Sequence, residues 1–565
     1  MRVITNILFS LLIFLVACKQ EVTKDVERGT IAMNGAVSSA HPLASQIGVD
    51  ILRKGGNAYD AGVAVQFALA VAYPRAGNIG GGGFAVIRTS EGEVNTLDFR
   101  EKAPLAAHEK MYLDEKDQPI KNLSVKGHLA VGVPGSVAGM VTLHEKYGRL
   151  PFKVLLKPAI ELAENGVVLT DAEAKTINRY HDLFREVNPQ GFVFTTKDVW
   201  EQGDHVTYPA LAKTLKLIQE NGRDGFYKGK TAEGIVGEMK QGGGIITLED
   251  LEKYEAVWRK PLKSSFRVYN IISMGPPSSG GVALLQLLEG WEQLSNPKWK
   301  HNSTESIHLM TELERRVYAD RATFMGDADF VDIPITHLLD SSYLENRFAS
   351  ISNEKATDSQ IIKAGEVERI ESYETTHFSI VDKEGNALSI TTTLNGNFGS
   401  KVFVKEGGFF LNNEMDDFSI KPGVPNQFGL VGGKANAISP EKRMLSSMTP
   451  TIVEKGDDLF MVVGTPGGST IITSVFQTIL NVTDFGMTMQ EAVNAPKLHS
   501  QWLPDKIVYE KGKMKRVVLD ELKAMGHVLD STTQIGRMDC ILRLEDGSLE
   551  GASDRTRSDG VALGY

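Results

Sequence analysis

"ESYETTHFSIVDKEGNALSITTTLNG", Glu371–Gly396, passes from a charged, loop-like run into a Thr-rich β-hairpin through a Thr-Thr-His triplet, Thr375 to His377. Thr is a good strand former, and Thr376 to Asp382 alternates as a half-buried strand does, so on its own the triplet has a structural explanation. What precedes it sharpens the question. Asn353 to Glu374 is polar, charged and poor in aromatics, which reads as an exposed, mobile segment that stops where the strand starts.

Outward from the hairpin, the chain reads as strands flanked by helices. Ala44 to Arg53 and Asn57 to Ala72 carry apolar residues at helical spacing, separated by Gly55-Gly56. The second is small-residue rich and apolar nearly all round, as a buried helix is, and Pro74 stops it. "AGNIGGGGF" leads into a hairpin-like pair, Phe84 to Arg88 and Val94 to Phe99, about a Glu91-Gly92 turn. Helical patterns dominate Ser136 to about Met239 and Val282 to Met325, with a strand at Phe266 to Ser273 between them. After the Thr-rich hairpin come a Gly/Pro/Asn-rich loop at Lys421 to Asn436, a strand at Leu459 to Val463 and a helix from Ser469 to about Val482. Such an order predicts a layered α+β arrangement.

The bulk properties narrow the class. The 565 residues are 42% hydrophobic and 23% charged, with no low-complexity linker or internal repeat, so one large compact unit is expected. A formal net charge of −10 argues against a nucleic-acid partner, which requires a basic face. "MRVITNILFSLLIFLVACKQE" has one Arg and an apolar run from Ile7 to Ala17, too short to span a bilayer and suited to a secretory signal. Its end, Leu15-Val16-Ala17-Cys18, resembles a bacterial lipoprotein signal. Residues 1–17 are therefore expected to be removed, leaving Cys18 lipidated and the protein exported, periplasmic and held to a membrane by that lipid. The other cysteine, Cys540, then has no partner, and the fold is expected to carry no intramolecular disulfide.

Several familiar motifs fail. "GFYKGKT", Gly225 to Thr231, falls one residue short of phosphate-loop spacing and reads as a turn, and Gly80 to Gly83 is not a dinucleotide fingerprint. No H-E-x-x-H, zinc-spaced Cys pair or G-x-S-x-G occurs. No metal and no cofactor is implied.

Seven short stretches remain: "LDFREKAP" with Arg100, "PPSSGG" at Pro276 to Gly281, "ETTHFS", "TTTLNG" with Thr393 and Asn395, "NNEMDDFS" with Glu414 and Asp417, "LSSMTP" with Ser446 and Ser447, and "GTPGGS" with Gly467 and Gly468. Singly, each has an ordinary explanation as a surface charge, a cap or a turn. Together, in this order, they resemble the γ-glutamyltransferase (γ-glutamyltranspeptidase) family, from about Ala36 to the C-terminal "GASDRTRSDGVALGY", with "GNIGGGGF", "YADRATFMGD" and "KPGVPNQFGLVGG" adding to the likeness.

The resemblance implies an N-terminal-nucleophile hydrolase: an α+β, four-layer αββα sandwich of two stacked sheets flanked by helices. It also implies that the precursor cuts itself between Glu374 and Thr375, giving a large chain, 18–374, and a small chain, 375–565, that form one globular heterodimer. A free α-amine has a pKa of about 7.7 to 8.0, so it can serve as base for the hydroxyl of its own residue, which it cannot do inside a peptide bond. Thr375 is thus the implied nucleophile, positioned by Thr393, with Gly467 and Gly468 as oxyanion hole. Arg100, Ser446 and Ser447 are implied to hold the substrate α-carboxylate, and Asn395, Glu414 and Asp417 its α-ammonium. Phe428 stands in the lid-like loop where some relatives have Tyr, removing a hydroxyl from the lid, and Glu414 stands where relatives carry Gln. The implied donors are glutathione and related γ-glutamyl compounds, and the acceptors are water, amino acids or peptides. A cephalosporin (glutaryl) acylase, a poly-γ-glutamate hydrolase and an inactive lipid-anchored binding protein are the alternatives. Glu414 with Asp417 speaks against the first, and the lid-like loop against the second.

Overall fold

The computed structural model describes residues 26–362, 375–556 and 559–565, so the signal segment, Cys18 and Glu374 lie outside the described residues. Two seven-stranded antiparallel sheets form its centre. One runs, edge to edge, Val561–Gly564, Ala36–Ser39, Thr376–Val381, Ala387–Thr393, Gly82–Arg88, Val94–Asp98 and Val257–Arg259. The other runs Thr30–Ala32, Leu549–Ser553, Asp539–Arg543, Asp458–Val463, Thr451–Lys455, Tyr269–Ser273 and Leu262–Phe266.

Helices cover the outer face of each sheet. Ala58–Ala72 is buried along its whole length, as its apolar sequence requires, and starts at a capping box between Asn57 and Asp60. Its side chains join one core with Phe378, Ile380, Leu388 and Ile390 of the first sheet. On the far side, Leu284 and Trp291 of Gly280–Leu294, Leu313 of Thr304–Phe324 and Phe476 of Thr470–Thr483 pack against Ile271, Ile452 and Val462 of the second sheet. The layers are helix, sheet, sheet, helix, the α+β sandwich the resemblance implies. Among the described residues no helix is long and apolar enough to cross a membrane.

The central hairpin corrects the reading of a half-buried strand: all six residues of Thr376–Val381 are buried. Phe378 and Ile380 face the helices, and the alternating polar residues face the second sheet rather than water. There Ser379 Oγ donates to the Asp539 carbonyl at 2.8 Å, Ser389 Oγ to that of Val463 at 3.2 Å, and Ser38 Oγ to that of Ala552 at 3.0 Å. Arg88 Nε meets Glu454 Oε1 across the sheets at 2.6 Å. Polar side chains belong at this interface because each finds a partner on the opposing backbone.

Three smaller expectations change. Phe266 to Ser273 is the end of one strand, Leu262–Phe266, and the whole of the next, Tyr269–Ser273, folded back at Arg267, whose φ is +53°. "GFYKGKT" is not a simple turn but the end of a short helix, Asp224–Tyr227, and the start of another, Gly229–Gly242. The segment after Asn353 is mostly exposed, as expected, but pinned at two points as far as it is described: Ser359 and Ile362 are buried, and their carbonyls both accept from Trp502 Nε1. Its remainder, 363–374, lies outside the described residues.

Candidate active site

Thr375 sits at the N-terminal end of a central strand, directly before the ladder that pairs Thr376 with Thr392. Its hydroxyl lies 3.4 Å from Thr393 Oγ1, long for a hydroxyl pair, as catalytic contacts often are before substrate binds. Thr393 is itself held on two sides. Its Oγ1 accepts from the Asn395 N–H at 2.7 Å, and its carbonyl accepts from Asn78 Nδ2 at 3.0 Å. Asn78 Oδ1 in turn accepts from Gly81 N–H and Ser136 Oγ. A Cβ at Gly81 would lie 2.0 Å from the Thr393 carbonyl oxygen, so the Gly run lets this loop approach the strand closely.

His377 is not a candidate base. Its ring nitrogens are occupied by Thr391 Oγ1 at 2.9 Å and Ser379 Oγ at 3.1 Å, and burial pushes its pKa down to about 3, with Arg537 adding to the shift. It is a neutral inter-sheet residue.

One side of Thr375 faces a tight pocket of about 20 Å³ lined by Arg100, Thr393, Asn395, Glu414, Asp417, Phe428, Ser446, Ser447 and Gly468. Arg100, 1% exposed, places Nη1 2.6 Å from Glu414 Oε2 and Nη2 2.6 Å from Asp417 Oδ2, with Glu101 Oε2 at 3.6 Å. Burial pulls the Arg100 pKa down, but Glu414, Asp417 and Glu101 outweigh it and leave the guanidinium firmly charged. Burial also pushes the carboxyls of Glu414 and Asp417 up against the pull of Arg100, and that of Glu101 to about 8. One cation thus serves several crowded acids, an arrangement that suits an incoming second cation.

The Ser446–Ser447 corner is ready to donate. Ser446 Oγ accepts from the Met448 N–H at 3.1 Å, and Ser447 Oγ accepts from Arg321 Nη2 at 3.1 Å, so each hydroxyl keeps its own proton available. The corner is built by "PPSSGG": Ser279 Oγ donates to the Ser446 carbonyl at 2.7 Å and Ser278 Oγ to that of Met448 at 2.6 Å.

Gly467 and Gly468 have φ of +145° and +55° and precede the helix Thr470–Thr483. Neither of their N–H groups donates to a described residue. Two free N–H groups at a helix N-terminus favour a developing negative charge. A Cβ on Gly468 would lie 2.7 Å from Phe428 Cδ1, so the loop carrying Phe428 closes on the Gly468 side of the pocket. That loop needs no hydroxyl at 428 to stay down: Asn426 Nδ2 donates to Asp417 Oδ1 at 3.0 Å, and Gln501 Nε2 to the Gly429 carbonyl at 3.0 Å.

Away from this pocket, His308, Glu312 and His527 have metal-ligand spacing. They are already bonded to protein groups: the two rings bond each other at 2.7 Å, and Glu312 pairs with Arg316 at 2.7 Å and Arg315 at 3.4 Å. The cluster reads as a buried polar network.

The comparisons agree with this geometry. The family model for Gamma-glutamyltranspeptidase matches residues 44–565. The chain belongs to this family. It is 44% identical over 546 residues to the glutathione hydrolase proenzyme of Escherichia coli (strain K12), covering 96% of this chain and 94% of that protein. Among solved structures it is similar to cephalosporin acylase from Bacillus halodurans, with a TM-score of 0.82 at 26% identity over 95% of this chain and 97% of that one. It is also similar to a chain of Helicobacter pylori gamma-glutamyltranspeptidase, with a TM-score of 0.57 at 45% identity over 60% of this chain and 96% of that one.

Of the γ-glutamyltranspeptidase-family residues read from the sequence, Thr375, Thr393, Arg100, Asn395, Glu414, Asp417, Ser446, Ser447 and Gly468 meet in the tight pocket, and Gly467 lines a second cavity beyond Thr375. Motif reading missed the supports: Glu101, Arg321, Asn78 and Asn436, whose Nδ2 donates to the Asp417 carbonyl at 2.7 Å and whose Oδ1 accepts from the Leu445 N–H at 3.0 Å. Glu101, Arg321 and Asn78 lay inside quoted motifs, and their burial was the signal that only a fold supplies.

Proposed function

We propose that the protein is a self-processing γ-glutamyltransferase and glutathione hydrolase, with Thr375 as nucleophile. The observation that supports this reading is that Thr375 shares one pocket with Gly468 and with a buried Arg100 flanked by Glu414 and Asp417, and a second with Gly467. A γ-glutamyl group bears an α-carboxylate and an α-ammonium beyond its scissile amide. On binding, the carboxylate takes Arg100 and the hydroxyls of Ser446 and Ser447, and the ammonium takes Glu414, Asp417 and Asn395. Every charge stays paired, and the binding is specific for the zwitterion.

Maturation and turnover use the same atoms. In the precursor, Thr375 Oγ attacks the Glu374 carbonyl, the acyl group shifts from nitrogen to oxygen and so frees the α-amine, and water cleaves the ester to the Glu374 carboxylate and the Thr375 hydroxyl. In the mature protein that amine takes the hydroxyl proton as Oγ attacks the γ-carbonyl, whose oxygen charges up against the Gly467 and Gly468 N–H groups. The proton passes to the departing amine, leaving a γ-glutamyl ester on Thr375 that water, an amino acid or a peptide resolves. The same proposal makes the mature protein a heterodimer of about 18–374 and 375–565, exported by residues 1–17 to the periplasm and anchored through lipidated Cys18.

Intact mass with N-terminal sequencing tests the scission: two fragments in the wild type, the smaller starting at Thr375, and one inactive chain in Thr375→Ala. Processed, active Thr375→Ala protein refutes the nucleophile. Turnover of a γ-glutamyl anilide but not of a glutaryl anilide, which lacks the ammonium, separates this reading from a cephalosporin acylase.

A further inference from the structure

The proposed base, the freed α-amine of Thr375, must be unprotonated before it can take the hydroxyl proton. With an ordinary pKa of about 7.7 to 8.0 it would be mostly protonated at pH 7. A cation close by favours the neutral form. Arg537 stands where such a cation would act. Its N–H donates to Thr465 Oγ1 at 2.7 Å on the second sheet's side, and the strand Asp539–Arg543 begins two residues on. Its guanidinium ends on the helix side of the first sheet, where Nη2 donates to Thr376 Oγ1 at 3.3 Å and Nη1 to the hydroxyl of Tyr73, which follows the helix Ala58–Ala72. Thr376 alternates with Phe378 and Ile380, which face the helices, so the Arg537 side chain crosses the end of this strand, where Thr375 stands. Thr375 and Arg537 line the same cavity. Covalent dimensions leave the guanidinium within about 9 Å of the Thr375 nitrogen.

Arg537 is 4% exposed and has no ion pair among the described residues, and its Nε has no hydrogen-bond partner. Its charge is therefore poorly screened. The other charges that face Thr375 are balanced or solvated. Arg100 is held between Glu414 and Asp417 on the tight-pocket side. Around the cavity, Lys175 pairs with Asp171, Arg555 with Glu27 and Glu173 with His41; Asp559 accepts from Thr170 Oγ1, Arg179 is exposed, and Arg75 shares the Tyr73 hydroxyl with Arg537. Asp539, the acid on the Arg537 strand, accepts from Ser38 Oγ, and Ser38 pairs with Ser379, four residues and roughly 13 Å along the strand from Thr375. Arg537 is the nearer of the two. Its field is felt along this strand already, since it adds to the burial that holds His377 neutral.

We propose that Arg537 sets the charge state of the base: laid across the strand end, its guanidinium keeps the freed Thr375 amine unprotonated near neutral pH. It is a positioning residue, acting on the amine without touching substrate. A unit charge about 9 Å away, at an effective dielectric constant of about 20, lowers the pKa of an amine by roughly 1. The amine then titrates near about 7 and is about half neutral at pH 7. This inference rests on the proposed function above and deepens it, because the glutamyl pocket supplies nothing that would poise the base.

The test is the acid limb of kcat/KM against pH for a γ-glutamyl anilide on mature protein, which reads the pKa of the base in the free enzyme. The wild type is expected to give a limb near about 7, Arg537→Gln one roughly 1 higher, and Arg537→Lys, which restores the charge, one within about 0.3 of wild type. A merely structural role would lower the rate in both variants without moving the limb. Equal limbs in the wild type and Arg537→Gln overturn the inference and leave the proposed function standing. If Arg537→Gln yields no mature protein, the wild type decides: a limb at about 7.7 or above overturns the inference. Asp539→Asn identifies the titrating group. Burial pushes the Asp539 carboxyl up to about 6, against the pull of Arg537, so a limb that vanishes in Asp539→Asn belongs to that acid and overturns the inference, whereas one that persists supports the amine. Absence of both scission and γ-glutamyl turnover in the wild type overturns the proposed function and this inference together.

Discussion

Replacing Arg100 by Lys probes the glutamyl pocket at its most constrained point. The guanidinium spans two carboxylates, with one prong at 2.6 Å from Glu414 and the other at 2.6 Å from Asp417, and Nε donates to the Met444 carbonyl at 3.3 Å. Removing the charge outright would leave buried carboxylates without a partner, a change of about 3–5 kcal/mol in stability that would blur any kinetic result. Lysine keeps the charge and loses the fork. Of the two charge-assisted bonds that Arg100 offers a substrate carboxylate, Lys retains one, so the loss is that of one such bond, about 1.5–3 kcal/mol. At about 1.4 kcal/mol per decade this is a rise of roughly 10- to 150-fold in KM. The Thr375 hydroxyl and the two glycine N–H groups are untouched, so kcat should change far less. Steady-state hydrolysis of a γ-glutamyl anilide, with the fraction of processed protein measured on the same sample, gives both constants. An unchanged KM, or a loss confined to kcat, would refute the assignment of Arg100 to the carboxylate.

Gly468→Ala should lower kcat roughly tenfold to a hundredfold on the same anilide, because its φ of +55° disfavours a Cβ that would also lie 2.7 Å from Phe428 Cδ1, tilting an oxyanion donor away; kcat within twofold of wild type would remove it from that role. Asn78→Ala deletes the side chain that ties Thr393 to the Gly loop and should slow scission and lower kcat together, with about 2–4 kcal/mol lost in chemical unfolding; scission at the wild-type rate would mean that Thr393 is placed by other contacts. His377 contributes a pH dependence of known sign. Its folded pKa of about 3 lies below the ordinary 6.5, so its stabilising contribution is full above pH 6.5 and lost as pH falls towards 3, about 2 kcal/mol by pH 5. Urea unfolding of the unprocessed Thr375→Ala chain at pH 7 and pH 5, with and without His377→Gln, measures it, and an equal pH 5 penalty in both would contradict a neutral buried ring.

The site was legible in the sequence further than the supports that hold it. Arg100, the paired serines and the Gly-Gly step each read singly as a surface charge, a cap or a turn, and only their common order pointed to one family, whereas the helices at Ala44–Arg53 and Asn57–Ala72 follow from apolar spacing alone. Phe266 to Ser273 failed as one strand because its turn is made by Arg267 at φ +53°, without the Gly, Asn or Pro that marks a turn in sequence. Thr376–Val381 misled for a different reason. Alternation of apolar and polar residues reports two unlike faces, and a water-facing side is only the commoner of two ways to satisfy the polar one. Here the polar face meets a second sheet whose backbone carbonyls take its hydroxyls, which no local pattern can reveal. Arg321 and Asn436 were hidden likewise, since a buried residue that orients a neighbour far away in the chain has no spacing to be read.

The sheets also explain how a chain can be cut beside its nucleophile and keep its shape. Under the proposed scission, the first sheet takes Ala36–Ser39, Gly82–Arg88, Val94–Asp98 and Val257–Arg259 from the large chain and its other three strands from the small one, and the second divides three to four the other way. Five ladders cross the divide: Val561–Gly564 with Ala36–Ser39, Ala36–Ser39 with Thr376–Val381, Ala387–Thr393 with Gly82–Arg88, Thr30–Ala32 with Leu549–Ser553, and Thr451–Lys455 with Tyr269–Ser273. Neither product can complete a sheet alone, so separation would expose strand edges on both and is opposed by the same hydrogen bonds and core that fold the precursor. The pairing of Thr376–Val381 begins at Thr376, one residue after the nucleophile, so cutting before Thr375 removes no ladder bond from that strand. A disulfide between the chains is unnecessary, and the one described cysteine, Cys540, lies buried in the core of the second sheet with its thiol pKa pushed up by burial. Scission at this position therefore changes the chemistry of one residue, turning an amide into a basic amine, while leaving the two walls that hold the substrate where the precursor had already placed them.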